Sequence, residues 1–449
     1  MGRLSELPVE ILERITDDLD FGSALWARQS CAKLNWVIRD KFWIVSFTIF
    51  NQATKHTHVG FTYPNKKREI NFSLDVTTRM LTKKANRVPP TFWVQRASKL
   101  GFMFQYLARD SIAGDDLDVL ECLHDVPGSE VFMVFQGVNT RPGIAQVANY
   151  INGMSIPTKV NVEMVTMKQP LSDSTIWSSG PFVLGENFKS LTLKLTALPL
   201  DPAFLKGNGS SRLESLTISQ LNRYHAETAP KLFDILALAK SLIVDRLELR
   251  ELTVWTPSEG GNGKLEVDTL IYDRVSLMPE GTMLNENICI ECTARYLIVT
   301  TSRNSCWDIV PLLRMFHFPS ITTLDLLLTE TIPTHVLQHM TDIVTRLDRL
   351  FVECTGIGYK GIFQAFSSAS HIKSLSVVAE LDLEDLHCIT KLSRLEFVSL
   401  YHGGSFKKEH AQLLAKSCPH LKSLNFFDKC NQNSLTLNHQ DLQQLQNDD

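Results

Sequence analysis

A chain of 449 residues exceeds one typical globular core, so two or more domains or a repeat array are expected. With 44% hydrophobic and 21% charged residues the composition is that of a soluble folded protein and excludes a disordered one. The net charge of −4 offers no strong pull toward nucleic acid or acidic membranes. No N-terminal apolar targeting segment and no unbroken apolar run of about 18 residues is present, so neither secretion nor membrane spanning is expected. Nine cysteines, scattered singly and odd in number, fit the reduced cytosol or nucleus better than a disulfide framework.

The chain opens with Leu7-Pro8-Val9-Glu10-Ile11-Leu12. Pro8 suits the first helical position, where its missing N–H costs nothing, and Glu10 falls in the first turn, where the helix dipole favours a carboxylate. Ile11 and Ile15, with Leu12 and Leu19, recur at helical steps and form one apolar stripe. Phe21-Gly22-Ser23 breaks this helix, Ser23 suits the cap of a second that carries Leu25 and Trp26, and a third presents Leu34, Val37 and Ile38. Three helices in about forty residues are too few to close a core unaided, so the unit leans on another domain or a partner.

These residues, with Ser30-Cys31-Ala32-Lys33, Val37-Ile38-Arg39-Asp40 and Trp43, resemble the F-box, over roughly a tenth of the chain. The family commonly places Trp three residues after the Cys; here that position is Leu34, and Trp36 follows. The resemblance implies a helical hook that docks a Skp-type adaptor of cullin–RING ubiquitin ligases. Leu7, Pro8, Ile11, Leu12, Ile15 and Leu25 would be the docking residues, with Trp43 close by.

Residues 51–90 hold Lys66-Lys67-Arg68 and Lys83-Lys84 with few long apolar runs, and read as an irregular linker or an N-terminal cap. The basic triplet reads as a solvated loop rather than a nuclear signal. Val131/Met133/Phe135 and Val160/Val162/Met164 alternate as strands and read as degenerate early repeats.

From Phe188 onward an apolar-x-x-apolar-x-apolar triplet recurs: Phe188/Leu191/Leu193, Leu213/Leu216/Ile218, Val244/Leu247/Leu249, Val267/Leu270/Tyr272, Ala294/Leu297/Val299, Ile321/Leu324/Leu326, Leu347/Leu350/Val352, Ile372/Leu375/Val377, Leu395/Val398/Leu400 and Leu421/Leu424/Phe426. Its middle residues step by 23 to 31 positions. The last two apolar residues are two apart, so on a strand they point the same way, inward. Helical segments such as 335–347, 361–370 and 408–417 lie between triplets. A period in the twenties with this triplet is the signature of leucine-rich repeats, in which stacked neighbours complete each other's core. The polar tail from 431 on reads as a frame or cap for the last repeat.

The expected fold is therefore α/β: a three-helix F-box over 1–45, a linker or cap over 46–100, and a leucine-rich-repeat solenoid over 101–449. Its curved parallel sheet would carry outer helices. Outward positions alternate with buried ones, and Phe351, Glu353, Ser399, Tyr401, Asn425 and Phe427 are the candidate target-binding residues on the concave face. A register slip of one residue would bury these rings instead.

Gly356-Ile357-Gly358-Tyr359-Lys360-Gly361 matches a dinucleotide fingerprint, with Glu380 about 20 residues on. The same strand–turn–helix unit recurs along the chain without glycines, and a repeat turn accounts for it. Cys289-Ile290-Glu291-Cys292 lacks the second pair that a structural zinc needs and reads as a half-buried strand. His335 and His339, the His402-Gly403-Gly404-Ser405 loop, and the acidic pairs Asp115-Asp116 and Glu384-Asp385 assemble into no catalytic set, so no enzyme activity, cofactor or metal is expected. An F-box joined to leucine-rich repeats is similar to the substrate receptors of SCF-type ligases. That similarity implies two partners, the Skp-type adaptor with its cullin–RING ligase and a target protein, in cytoplasm or nucleus. The rival readings are an F-box scaffold without a ligase role and a dinucleotide-binding enzyme using Gly356–Gly361.

Overall fold

The computed structural model describes residues 7–8, 11–12, 15, 44–50, 56–65, 68–77, 99–105, 130–136, 149, 151–153, 160–165, 182–195, 205–207, 209, 212–220, 229–279, 287–301, 309–328, 343, 345–354, 363, 371–379, 381, 383–402, 407–428 and 433–447. The chain is α/β, with a large, mostly parallel sheet and few helices. It divides into two compact units, Met1–Leu213 and Glu214–Asp449.

In the first unit, β1 (Ile44–Phe50), β2 (His56–Asn65) and β3 (Arg68–Thr77) pair antiparallel in sequence order. On the other side of β1 the pairing turns parallel, through β4 (Lys99–Gln105), β5 (Glu130–Gln136), β6 (Val160–Val165) and β8 (Phe188–Leu195). Two short strands, β7 (Phe182–Leu184) and β9 (Leu205–Gly207), make a separate parallel pair. The register stacks Phe102, Met133, Val162 and Leu191 directly over one another. Residues 51–90 are thus not irregular throughout: β2 and β3 form a hairpin whose register pairs Asn65 with Arg68. The alternation Ile70/Phe72/Leu74/Val76 against Asn71, Ser73 and Asp75 is a strand signal that the basic residues beside it obscure. Gly185 closes the turn before β8, its N–H donating to Asn152 Oδ1 at 2.7 Å while Asn152 Nδ2 donates to the Val183 carbonyl at 2.7 Å. A Cβ on Gly185 would lie 2.4 Å from that same Oδ1, which is why glycine stands there.

The second unit is a longer parallel ladder. It contains β10 (Leu213–Gln220), β11 (Val244–Arg250), β14 (Thr269–Asp273), β17 (Tyr296–Thr300), β19 (Thr323–Leu328), β20 (Arg349–Cys354), β21 (Ser374–Val378), β22 (Phe397–His402) and β23 (Ser423–Asp428). From β11 to β23 each strand pairs in parallel with the next in this order, and one register row reads Leu247, Leu270, Leu297, Leu324, Leu350, Leu375, Val398, Leu424. These are the middle residues of the sequence triplets. Every residue of the ten triplets from Phe188 to Phe426 is buried. Removing a Leu of this kind from water is worth about 1.5–3 kcal/mol, so the rows are the main source of the unit's stability.

A second bond pattern joins the strand entries. The carbonyls of Asp268, Arg295, Thr322, Asp348, Lys373 and Glu396 each accept two N–H groups from the following unit, as when Arg295 N and Tyr296 N both bond Asp268 O at 3.0 and 3.2 Å. The same corner carries ion pairs one period apart: Asp268–Arg295 at 3.7 Å, Asp348–Lys373 at 3.1 Å and Glu396–Lys422 at 2.6 Å.

Between ladder strands in chain order come α1 (Leu232–Leu242), α2 (Ile309–Met315), α3 (Leu383–Ile389) and α4 (Lys408–Ser417). α1 buries Leu232, Ile235, Leu236, Ala239 and Leu242 at helical spacing and ends on Ile243 in the left-handed region, φ 50°. α4 spans the helix expected at 408–417; the segments expected at 335–347 and 361–370 fall almost wholly outside the described residues. Between β11 and β17, however, strands replace the expected outer helices. β12 (Thr253–Thr256) pairs with β15 (Ser276–Pro279), and β13 (Gly261–Leu265) pairs with β16 (Ile288–Cys292), which pairs with β18 (Phe316–His317). Gly260-Gly261-Asn262-Gly263 is a poor helix former, whereas Thr253-Val254-Trp255-Thr256 and Ile288-Cys289-Ile290 favour extended chain. Gly261 also lets α1 approach closely, since a Cβ there would sit 3.0 Å from the Phe233 ring.

The C-terminal segment closes the ladder. β24 (Asn433–Leu437) pairs antiparallel with β23, and α5 (His439–Asn447) buries Leu442 and Leu445 and packs on α4. Asn438 caps α5, its Oδ1 accepting from Gln440 N at 2.8 Å while its own N–H donates to Asp441 Oδ2 at 2.9 Å. Among the described residues no helix is long and apolar enough to cross a membrane.

Candidate functional site: the outward face of the ladder

At the N-terminus, Ile11, Leu12 and Ile15 are helical, and the N–H groups of Ile11 and Leu12 both donate to the Pro8 carbonyl at 3.2 Å. Leu12 is fully buried, whereas Ile11 is 41% and Ile15 40% exposed, with Pro8 exposed and Leu7 half-buried. A four-residue step puts the two isoleucines on one side of a helix. Leu25 and Trp43 lie outside the described residues.

On the ladder, residues flanking each buried middle position face outward because strand side chains alternate. One outward row runs Arg246, Thr269, Tyr296, Thr323, Arg349, Ser374, Phe397, Ser423. The next passes through Asp325, Phe351, Ser376, Ser399 and Asn425, and a third through Glu353, Val378, Tyr401 and Phe427. Phe351, Glu353 and Ser399 are half-buried; Asn425, Tyr401 and Phe427 are exposed. The expected register thus holds, without the one-residue slip. Tyr401 and Phe427 lean together with ring centroids 5.8 Å apart, and the Lys422 ammonium stands 6.0 Å from the Phe397 ring.

The same face holds a polar cleft of about 660 Å³ across β14, β17, β19, β20 and β21. Tyr296 and Asp325 meet at its floor, the phenol O–H donating to the carboxylate. Burial, and then the bond to Asp325, pushes the Tyr296 hydroxyl up to about 12; burial also raises Asp325, against the lowering effect of the tyrosine bond. Arg295 and Arg349 rim the cleft. None of these four stood out in the sequence, although the triplet places them: each adjoins a buried position, so the frame marks them as outward. At the ladder's start Glu248 is buried on this face, accepting from Arg246 Nε at 2.6 Å, from Arg250 Nη2 at 2.8 Å and from Thr217 Oγ1 at 3.3 Å.

Cys289 and Cys292 sit on β16, where burial alternates strictly. Cys289 points outward and Cys292 inward, its thiol pushed up to about 12 by burial, so the pair faces opposite sides and does not chelate one ion. Glu384 is exposed and Asp385 buried, which separates that acidic pair as well. Gly356–Gly361, Glu380, His335, His339, 403–405 and Asp115-Asp116 lie outside the described residues. Among the described residues no group of three or more His, Cys, Asp or Glu side chains is placed to hold a metal. In comparisons with known proteins, no protein-family model matches this chain, and no curated protein matches it significantly.

Proposed function

We propose that the chain is the substrate-recognition subunit of an SCF-type cullin–RING ubiquitin ligase. Residues 1–45 act as an F-box that docks a Skp-type adaptor, and the ladder is a leucine-rich-repeat array whose outward face holds a target protein. In this reading the chain catalyses nothing itself. It works by proximity, raising the effective concentration of target lysines near the ubiquitin-charged enzyme.

The observation that carries the reading is the exposure of Ile11 and Ile15, one turn apart beyond Leu7-Pro8, with Leu12 turned inward. Aliphatic anchors spaced along one helix face and left in water are what a helix-in-groove interface covers. The stacked rows of triplet residues support the repeat assignment, because each strand completes the core of its neighbour. Outward aromatics such as Tyr401 and Phe427 suit target binding, since aromatic residues are enriched at interfaces and tyrosine is among the few residues that dominate binding energy.

Replacing Leu7-Pro8 with Ala-Ala is expected to abolish capture of a Skp-type adaptor while the circular dichroism spectrum stays unchanged. Retained capture by the folded variant overturns the F-box assignment. Ubiquitin ligation on co-purified partners then separates a ligase receptor from a scaffold that only binds the adaptor.

A further inference from the structure

Among the described residues, the cations in the outward rows and strand entries of the second unit are, Arg349 excepted, held by carboxylates. Arg246 and Arg250 share Glu248; Arg295 has Asp268; Lys373 has Asp348; Lys422 has Glu396. Arg349 is exposed at the cleft rim and has no carboxylate partner among the described residues. The acid on the adjacent strand, Asp325, is bonded to the Tyr296 hydroxyl. Beside Arg349 in the same register row stand Thr323 on β19 and Ser374 on β21, with Ser376 one step along the same face. Neighbouring strands lie about 4.8 Å apart, so these hydroxyls flank the base of the arginine at hydrogen-bonding reach of one small ligand. Their side chains have no protein partner among the described residues.

A planar guanidinium with several N–H donors, ringed by hydroxyls, matches the oxygens of a phosphate or carboxylate better than any neutral group. Arg295, loosely paired across 3.7 Å, stands on the other rim and adds positive potential. We propose that this cleft binds an oxyanion, a phosphate monoester or a carboxylate, on an extended segment laid across the strands, with Arg349 as the principal contact. That the segment belongs to a target protein rests on the receptor reading above; the anion site rests on the cleft's own residues.

The test uses the full chain and a labelled peptide library with a fixed central phosphoserine, its serine and glutamate counterparts, and inorganic phosphate as competitor, read by fluorescence anisotropy. The phosphoserine or the glutamate library is expected to bind at least about tenfold more tightly than the serine library, as charge-assisted bonds imply. Stronger binding of one library identifies the source of the oxyanion, and inorganic phosphate competes. Arg349→Ala is expected to lose that preference, Thr323→Val to weaken it, and Lys416→Ala on α4 to leave it intact. Equal binding of all three libraries, or full preference retained in Arg349→Ala, overturns the proposal. Adaptor capture is measured on the same preparations. Capture without any anion preference sinks the cleft proposal alone, whereas an Arg349-dependent preference without capture sinks the receptor reading alone.

Discussion

Ile243 ends α1 with φ 50°, a conformation in which a β-branched side chain crowds its own backbone. Its N–H still closes the helix on the Lys240 carbonyl at 3.4 Å, and its side chain is exposed, so little packing offsets the strain. Glycine is the usual occupant of such a position. Ile243→Gly is expected to stabilise the protein by about 1 kcal/mol, the strain relieved less the backbone entropy that glycine adds. A higher midpoint in urea, at unchanged slope, is the measurement that checks this. Glu251 and Arg274, φ 47° and 55°, hold the corresponding corner after β11 and β14. There the Arg274 guanidinium bonds Glu251 at 2.5 Å and Asp273 at 3.1 Å, so glycine would also remove an ion-pair cluster. Ile243 is therefore the cleaner test.

At the level of the element, a strand of the ladder is held by two neighbours and by the row of buried side chains through its middle. Leu375 on β21 lies between Leu350 and Val398 in that row and is fully buried. Leu375→Ala leaves a cavity that the flanking strands do not easily fill, and a cost of about 2–5 kcal/mol is expected. Amide exchange should accelerate in β20, β21 and β22 well before β11, because each strand contacts only those beside it. Uniform acceleration along the whole unit would contradict this nearest-neighbour picture. The outer elements follow a different logic. α1 and α4 form where apolar residues recur at three- and four-residue steps, while β13 and β16 form where glycines or β-branched residues oppose a helix.

At the level of the molecule, stability in the second unit is spread along a line of similar interfaces rather than gathered in one centre. The last strand of that line is covered by β24 and α5, with Gln446 Nε2 bonding the Ala415 carbonyl at 2.8 Å. A chain built this way need not melt in one step. Its calorimetric enthalpy is expected to exceed the van't Hoff enthalpy, and agreement of the two would show one cooperative block.

The primary sequence by itself determined which residues are buried and which of them stack. The apolar triplet recurs at a steady interval, and alternation along a strand is a local property that needs no knowledge of the neighbour. Leu247, Leu297 and Leu350 are therefore placed in one row by the sequence, whereas the exposure of Tyr401 and Phe427 on the opposite face, against a one-residue slip, was decided by the tertiary structure. Only the tertiary structure decided that β2 and β3 form a hairpin beside β1, and that short strands replace helices around Gly261 and Ile288. It alone brought Arg295, Tyr296, Asp325 and Arg349 around one cleft. The adjacent pair Arg295-Tyr296, then Asp325, then Arg349 stand about one repeat apart along the chain. What joins them is the lateral pairing of strands, and that is set by long-range backbone bonds whose partners no short stretch of sequence specifies.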